Sequence, residues 1–239
     1  KARAELRKLN RRQLLLAVAS GAFLALHFAL WIWSLSYTTV TSSVALVTAS
    51  PIFVAVASYL LFREKITVRV ISGVFVSIIG AVIIGFNSWQ LGGTSLRGSI
   101  LALSGAIAVA GYLLIGRRLR QNMSLLSYIF LTYTSAAIFL LITSLIRGAI
   151  LFDYSANTYL MFVLLALIPQ LLGHSALNWS LRYVPATMVT IAVLGEPVGA
   201  TILAFFILDE VPKAIELVGG ALILSGIAIA FSKSTANNR

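Results

Sequence analysis

The chain has no cysteine, which excludes disulfide cross-links and thiolate metal sites. Charge is scarce as well: Asp, Glu, Lys and Arg make up 10% of the 239 residues, and only seven of them are acids. The two aspartates, Asp153 and Asp209, fall in expected loops, and the chain contains neither an HExxH metal pair nor a GxSxG nucleophile turn. No enzyme is therefore expected, and no cofactor or metal is implied. No linker is long enough to separate soluble domains, so residues 1–239 read as one domain.

What is abundant is apolar. Hydrophobic residues make up 59% of the chain and the mean hydropathy is +0.98, more apolar surface than a soluble domain of this length can bury. A helix crossing hydrocarbon needs about 20 apolar residues. Eight stretches meet that length: 14–36, 39–62, 67–86, 97–116, 123–146, 158–182, 185–208 and 213–231. The fold class is thus an all-α membrane protein, a polytopic helical bundle of eight spans with lipid as its solvent.

The formal charge of +11 does not point to nucleic acid, because the basic residues sit in short connections between the apolar runs. Placing the N-terminal segment in the cytoplasm puts Lys1, Arg3, Arg7, Lys8, Arg11, Arg12, Arg63, Lys65, Arg69, Arg117, Arg118, Arg120, Arg182, Lys233 and Arg239 on that side. Only Arg97, Arg147 and Lys213 then face outward, a division of 15 to 3 among the 18 basic residues. Lysine and arginine bias governs insertion. The expected location is the cell (plasma or inner) membrane, with both ends of this chain cytoplasmic.

Shifted by 146 residues (Trp33 onto Trp179), the sequence matches itself without a gap. Tyr37 meets Tyr183, Pro51 meets Pro197, Glu64 meets Glu210, Gly73 meets Gly219 and Gly80 meets Gly226. These are rare or conformationally special residues, which shared apolar composition alone would not align. The offset is five spans, an odd number, so the two copies enter the membrane from opposite sides. Inverted repeats of this kind recur in secondary transporters, with the solute site at the interface of the halves. Residues 14–86 then form the C-terminal part of the first repeat and 97–231 the second. The parent fold has ten spans in a 5+5 arrangement, of which this chain is expected to lack the first two.

The segments TASPIFVAVASYLLFREKIT and LGEPVGATILAFFILDEVP, each followed by a glycine-containing span, resemble the EamA-type transporters of the drug/metabolite transporter superfamily. In that family each half carries a proline near mid-helix and an acid just past the same helix, matched here by Pro51 with Glu64 and Pro197 with Glu210. The resemblance implies a ten-helix fold with a central cavity, and export or exchange of small polar metabolites such as amino-acid-like compounds.

Candidate solute-binding residues are polar groups inside the apolar runs. Glu196, in mid-span, costs several kcal/mol as an isolated ion in lipid and so should face protein or water; its repeat counterpart is Ser50. Pro197 and Pro51 each free a carbonyl one turn earlier, at Val193 and Val47. Two readings of Glu196 stand, binding or proton coupling and a structural bond to a neighbouring helix. Gln170, His174 and Asn178, spaced by four, share one helix face, with Pro169 able to bend that helix. Ser20, His27, Trp31 and Ser34 form a comparable face in the first span, where Trp31 can stack on a ring or cation. Tyr128, Thr132 and Ser135 do so in the fifth. Interhelical hydrogen bonding is the structural alternative for these stripes, and it is the favoured one for the histidines. Glu64 and Glu210 read as helix terminators. The ladders Gly73, Ser77, Ala81, Gly85 and Gly98, Ala102, Ala106, Ala110 read as close packing.

The function expected is a secondary transporter or exporter of small polar metabolites working by alternating access, with solute between the first, sixth and seventh spans against Trp31, His174, Asn178 and Glu196. An uncoupled facilitator or channel-like pore and a non-transporting membrane scaffold are the alternatives. The partners are a small-molecule substrate and membrane lipid; protons as a coupling ion and a monomeric or homodimeric state are left open.

Overall fold

Glu5, in a five-residue helix at the start of the chain, reaches across to cap another helix more than a hundred residues away. In the computed structural model, which describes residues 2–38, 40–63, 67–89, 94–209, 211 and 214–232, that first helix is α1 (Ala2–Leu6). The target is α7 (Leu125–Ile146), whose N-cap is Ser124. The Ser124 amide donates to Glu5 Oε1 at 2.8 Å and the Ser127 hydroxyl to Oε2 at 2.7 Å; the Ser124 hydroxyl also donates to Oε2. A carboxylate there meets orphan amides and the positive end of the helix dipole.

The other helices are α2 (Arg11–Ser34), α3 (Val40–Val47), α4 (Ser50–Phe62), α5 (Val68–Trp89), α6 (Thr94–Arg120), α8 (Ala156–Leu165), α9 (Ser175–Ser180), α10 (Ala186–Val193), α11 (Glu196–Leu208) and α12 (Ala214–Phe231). A π-helical stretch, Ala166–His174, joins α8 to α9. Every described element is helical. Five segments are long and apolar enough to cross a membrane, Arg11–Ser34, Leu96–Arg120, Leu125–Ile146, Ala156–Ser180 and Ala186–Ile207. Three shorter apolar helices accompany them, Ser50–Leu61, Val68–Ile83 and Leu217–Phe231. Large side chains such as Leu60, Leu172 and Phe206 stay exposed. An apolar exterior this extensive fits lipid rather than water. Lys1, Glu64, Lys65, Glu210, Pro212, Lys213, Lys233 and Arg239 lie outside the described residues.

Two of the expected spans contain a break. The stretch 39–62 is α3 followed by α4, interrupted at Thr48–Ala49, and 185–208 is α10 followed by α11, interrupted at Leu194–Gly195. Proline explains the position of each break. It suits the first turn of a helix, where its missing N–H has no partner to lose, and it disfavours helical backbone just before it. Pro51 and Pro197 therefore start new helices rather than leaving a freed carbonyl inside an old one. Pro169 acts differently: α8 stops at Leu165, the residue whose carbonyl Pro169 cannot serve, and the wider π turn accommodates the ring.

The local backbone recurs at the offset of 146. Helix ends Ser34 and Ser180 correspond, as do the limits of α3 with α10 and of α4 with α11. The turn bonds Ser36 N to Trp33 O, Tyr37 N to Ser34 O and Thr38 N to Ser34 O reappear as Arg182 N to Trp179 O, Tyr183 N to Ser180 O and Val184 N to Ser180 O. At the breaks, Thr48 N to Val44 O and Ala49 N to Leu46 O reappear as Leu194 N to Thr190 O and Gly195 N to Ala192 O. Arg63 and Asp209, also equivalent, both adopt left-handed backbone, at φ 52° and 54°.

The chain divides into two compact units. The first comprises Lys1–Leu26 with Gly111–Val189, the second His27–Ala110 with Thr190–Arg239. In the first, Gly21 of α2 lies against the backbone of Thr132 and Ala136 on α7, and Gly111 of α6 against the Phe23 ring. In the second, α5 and α12 cross antiparallel at van der Waals distance. A Cβ added at Gly73 would lie 2.5 Å from the Gly226 carbonyl oxygen, and one at Gly80 would strike the Gly219 carbonyl. Ser77 Oγ donates to the Ile223 carbonyl at 3.1 Å between those glycine pairs. Ala102 and Ala106 are fully buried, so the ladder on α6 packs as expected.

Two predictions follow from these contacts. Gly226→Val should lower stability by at least about 2 kcal/mol in a detergent melt, because backbone must move to admit the side chain. Gly199→Ala, with nothing within 4 Å of the added atom, should cause no loss. For Glu5, burial pushes the carboxyl pKa upward, but the Ser124 and Ser127 hydrogen bonds outweigh it and hold the group below its ordinary value. The contact should thus be fully formed above the unfolded-state carboxyl pKa and be lost as pH falls through the folded one. Hydrogen-exchange protection of the Ser124 amide should be lower in Glu5→Gln than in the parent at pH 7, with the two converging once the pH falls below the folded-state pKa of Glu5.

Candidate functional site

Inside the first unit, polar side chains from four helices meet in one buried network. Ser20 of α2 and Tyr128 of α7, both fully buried, share a hydrogen bond of 2.7 Å, and the Ser20 hydroxyl lies 3.4 Å from the Tyr112 carbonyl. Asn178 of α9 donates its amide to the Tyr112 hydroxyl of α6 and to the Tyr133 hydroxyl of α7, the latter at 3.1 Å. Tyr133 in turn pairs with Ser175 at 3.2 Å, and the Tyr112 ring lies 5.9 Å from the His174 ring. Turning a polar face inward is what lipid demands of such a helix.

Asn178 is fully buried, yet the other atom of its amide has no hydrogen-bond partner, and neither does Gln170 Oε1. Whichever way the Asn178 amide is turned, one of its two ends stays unmatched. An unsatisfied buried polar atom costs about 1–3 kcal/mol, so a polar group brought to either atom would be favoured.

Arginines anchor the network from one end. The Arg120 side chain, 2% exposed, donates Nε to the Asn178 carbonyl at 3.0 Å and Nη1 to the Met123 carbonyl. Arg117 Nη1 donates to the Leu181 carbonyl at 2.8 Å. Both satisfy carbonyls at the C-terminal end of α9, where cations complement the dipole. Asn178 is therefore held through its backbone by α6 and through its side chain by α6 and α7.

The second unit holds a separate polar group. His27 Nδ1 lies 3.0 Å from the Gly105 carbonyl, and because a carbonyl only accepts, Nδ1 carries the proton. The imidazole stacks on Trp31 at 5.8 Å with 20° between the planes, while Trp31 Nε1 is buried without a hydrogen-bond partner. Ser34 donates to the Trp31 carbonyl at 2.6 Å and pairs with Ser43.

The expected site residues are thus partly gathered. Tyr128, His174 and Asn178 belong to the first network, with Gln170 one turn before His174 on the same inward face. His27 and Trp31 sit together in the second unit. Ser50 opens α4 and is buried; Glu196 opens α11 and its side chain is exposed. At the first turn of a helix, a carboxylate is favoured by free amides and the dipole. Tyr112, Tyr133, Ser175 and Arg120 are network members that sequence reasoning missed. The tyrosines carried no signal, since membrane tyrosines are as common at interfaces as inside. Arg120 was counted only as a charge at the membrane edge. Among the described residues, no group of three or more His, Cys, Asp and Glu comes together to ligate a metal.

Long apolar helices with polar side chains turned inward define a multi-pass helical membrane protein. The sequence model of the EamA-like transporter family matches residues 2–86 and 96–232. The chain belongs to that family. It is similar to the uncharacterized transporter YdfC of Bacillus subtilis (strain 168), 25% identical over 203 residues, covering 84% of this chain and 66% of the relative. YetK of the same organism, also described as an uncharacterized transporter, is 29% identical over 208 residues, covering 84% and 63%. An uncharacterized transporter of Archaeoglobus fulgidus is 25% identical over 224 residues, covering 91% and 76%. The chain therefore spans about two thirds of the length of these Bacillus relatives. A protein known from a crystal structure superposes with a TM-score of 0.74 at 16% identity, covering 94% of this chain and 79% of the other, a likeness of fold alone.

Proposed function

We propose that the chain is the larger part of a secondary transporter for small polar metabolites in the cell membrane, made of eight spans from a ten-span inverted-repeat fold. Residues 14–86 are the remainder of one repeat and 97–231 the other. The observation that carries this reading is the recurrence of helix ends, turn bonds and helix breaks at one offset of 146 residues, five spans apart. The α5–α12 crossing adds support. Gly73 meets Gly226 and Gly80 meets Gly219, so the shift by 146 exchanges one contact for the other, as a two-fold relation would. Both termini of this chain are cytoplasmic on the charge asymmetry.

The two repeats give access alternately to the two sides. Broken helices suit this task, because their ends carry dipoles and backbone groups that a polar solute can meet at depth in the bilayer. The candidate solute contacts are Asn178, Gln170, His174 and Tyr128 in one group and Trp31, His27, Ser50 and Glu196 in another. Solutes with several hydrogen-bonding groups fit this set better than purely apolar ones. Glu196 is the candidate for proton coupling, as an acid in the middle of an apolar run.

Transport into proteoliposomes, screened over amino acids and related polar metabolites, tests the proposal. Saturable uptake is expected for at least one class of solute. Asn178→Leu should cut it about ten-fold, the value of one lost hydrogen bond to a buried polar group. With proton coupling, Glu196→Gln removes accumulation driven by a pH gradient. Flux that never accumulates and ignores Glu196→Gln at every pH would favour an uncoupled facilitator. Flux that does not saturate for any solute would contradict the reading.

A further inference from the structure

Where the start of α2 lies beside the end of α6, the first unit has a cavity of about 130 Å³, room for roughly four waters' share of liquid volume. Its polar lining comprises Asn10, Arg12, Gln13, Arg118 and Asn122; Leu16 and Leu119 supply the apolar part. Two features of this lining point to one kind of ligand.

The first is the supply of donors. Asn10 and Gln13 form a reciprocal cap: the Gln13 amide donates to Asn10 Oδ1 at 2.8 Å and the Asn10 amide to Gln13 Oε1 at 3.1 Å. Each side-chain oxygen already accepts one bond, while both NH2 groups remain to donate. The second is charge. Two guanidiniums line the cavity and no acid does. Glu5 is engaged by Ser124 and Ser127, and Arg117 and Arg120 are engaged on carbonyls. Among the described residues, Arg12 and Arg118 have no carboxylate partner. Two like charges facing one small hollow rimmed by donors are an arrangement that an anion relieves, and the planar guanidinium fork matches phosphoryl oxygens two at a time.

We propose that this cavity is a phosphoryl-binding site, formed by Arg12 and Arg118 with the amide donors of Asn10 and Gln13. It does not depend on which solute the transporter carries. Arg12 lies two residues before the apolar run that opens at Leu14, and Arg118 two residues after the run ending at Gly116. The site thus stands at the level of lipid headgroups, on the face where the basic residues gather. Anionic phospholipids concentrate on the cytoplasmic side, and basic pockets there hold their headgroups. The same chemistry would accept a free phosphate ester or inorganic phosphate.

The test is a thermal melt of the full chain in mild detergent. Three probes are used: dihexanoyl phosphatidylglycerol, the phosphatidylcholine of the same chain length, and inorganic phosphate. The anionic lipid should raise the melting temperature with a saturable dose dependence, and the zwitterionic lipid should not. Arg12→Gln with Arg118→Gln should weaken the apparent affinity at least about ten-fold. Arg3→Gln with Arg7→Gln, which removes the same charge outside the cavity, should leave it unchanged. An equal shift with inorganic phosphate supports the site and makes free phosphate its source. If the cavity double variant does not fold, Arg118→Gln alone, at an exposed arginine, is read the same way. The proposal is overturned if no phosphate-bearing probe shifts the melt, if the shift survives loss of both cavity arginines, or if the two double variants weaken it equally.

Discussion

Hydrocarbon offers a backbone amide no partner, and this one constraint shapes the molecule. Every described element is helical, and each place where a helix stops inside an apolar run is closed by the chain itself. At Thr48–Ala49 and Leu194–Gly195, tight backbone bonds turn the chain within two residues. The proline that follows removes one of the donors a new helix would otherwise leave unmet. The π stretch after Leu165 is a second answer to the same problem. There the helix widens instead of stopping.

The constraint extends to side chains. Ser20, Tyr112, Tyr128, Tyr133, Ser175 and Asn178 satisfy one another inside the first unit, and His27 finds a backbone carbonyl made accessible by Gly105. Arg117 and Arg120 direct their hydrogen bonds to the carbonyl end of a neighbouring helix. In a chain with seven acids and 18 basic residues, most basic residues cannot have a carboxylate of their own, and carbonyls, headgroups and water must serve.

Much of this was legible in the sequence. Trp33 with Tyr37 and Trp179 with Tyr183 marked equivalent turns, and in both pairs the rings meet at a tilt, with centroids 6.3 and 4.8 Å apart. Spacing by four put Gln170, His174 and Asn178 on a face that does turn inward. Thr67 was expected to start a helix, and its hydroxyl accepts from the Val70 amide at 3.4 Å. What was not legible depends on partners distant in sequence. Nothing near Tyr112 announces that Asn178 will meet it, and nothing near Glu5 announces Ser124. The helix breaks were half visible: Pro51 and Pro197 stood out, but a kink and a full restart look alike until the backbone bonds are traced.

The absence of cysteine permits a direct test of the inverted arrangement. Single cysteines at Ser36 and Arg182, which occupy equivalent turns, can each be labelled with an impermeant maleimide from either side of sealed membranes. The account predicts that Ser36→Cys reacts only from outside and Arg182→Cys only from the cytoplasm. Labelling of both from the same side would contradict it.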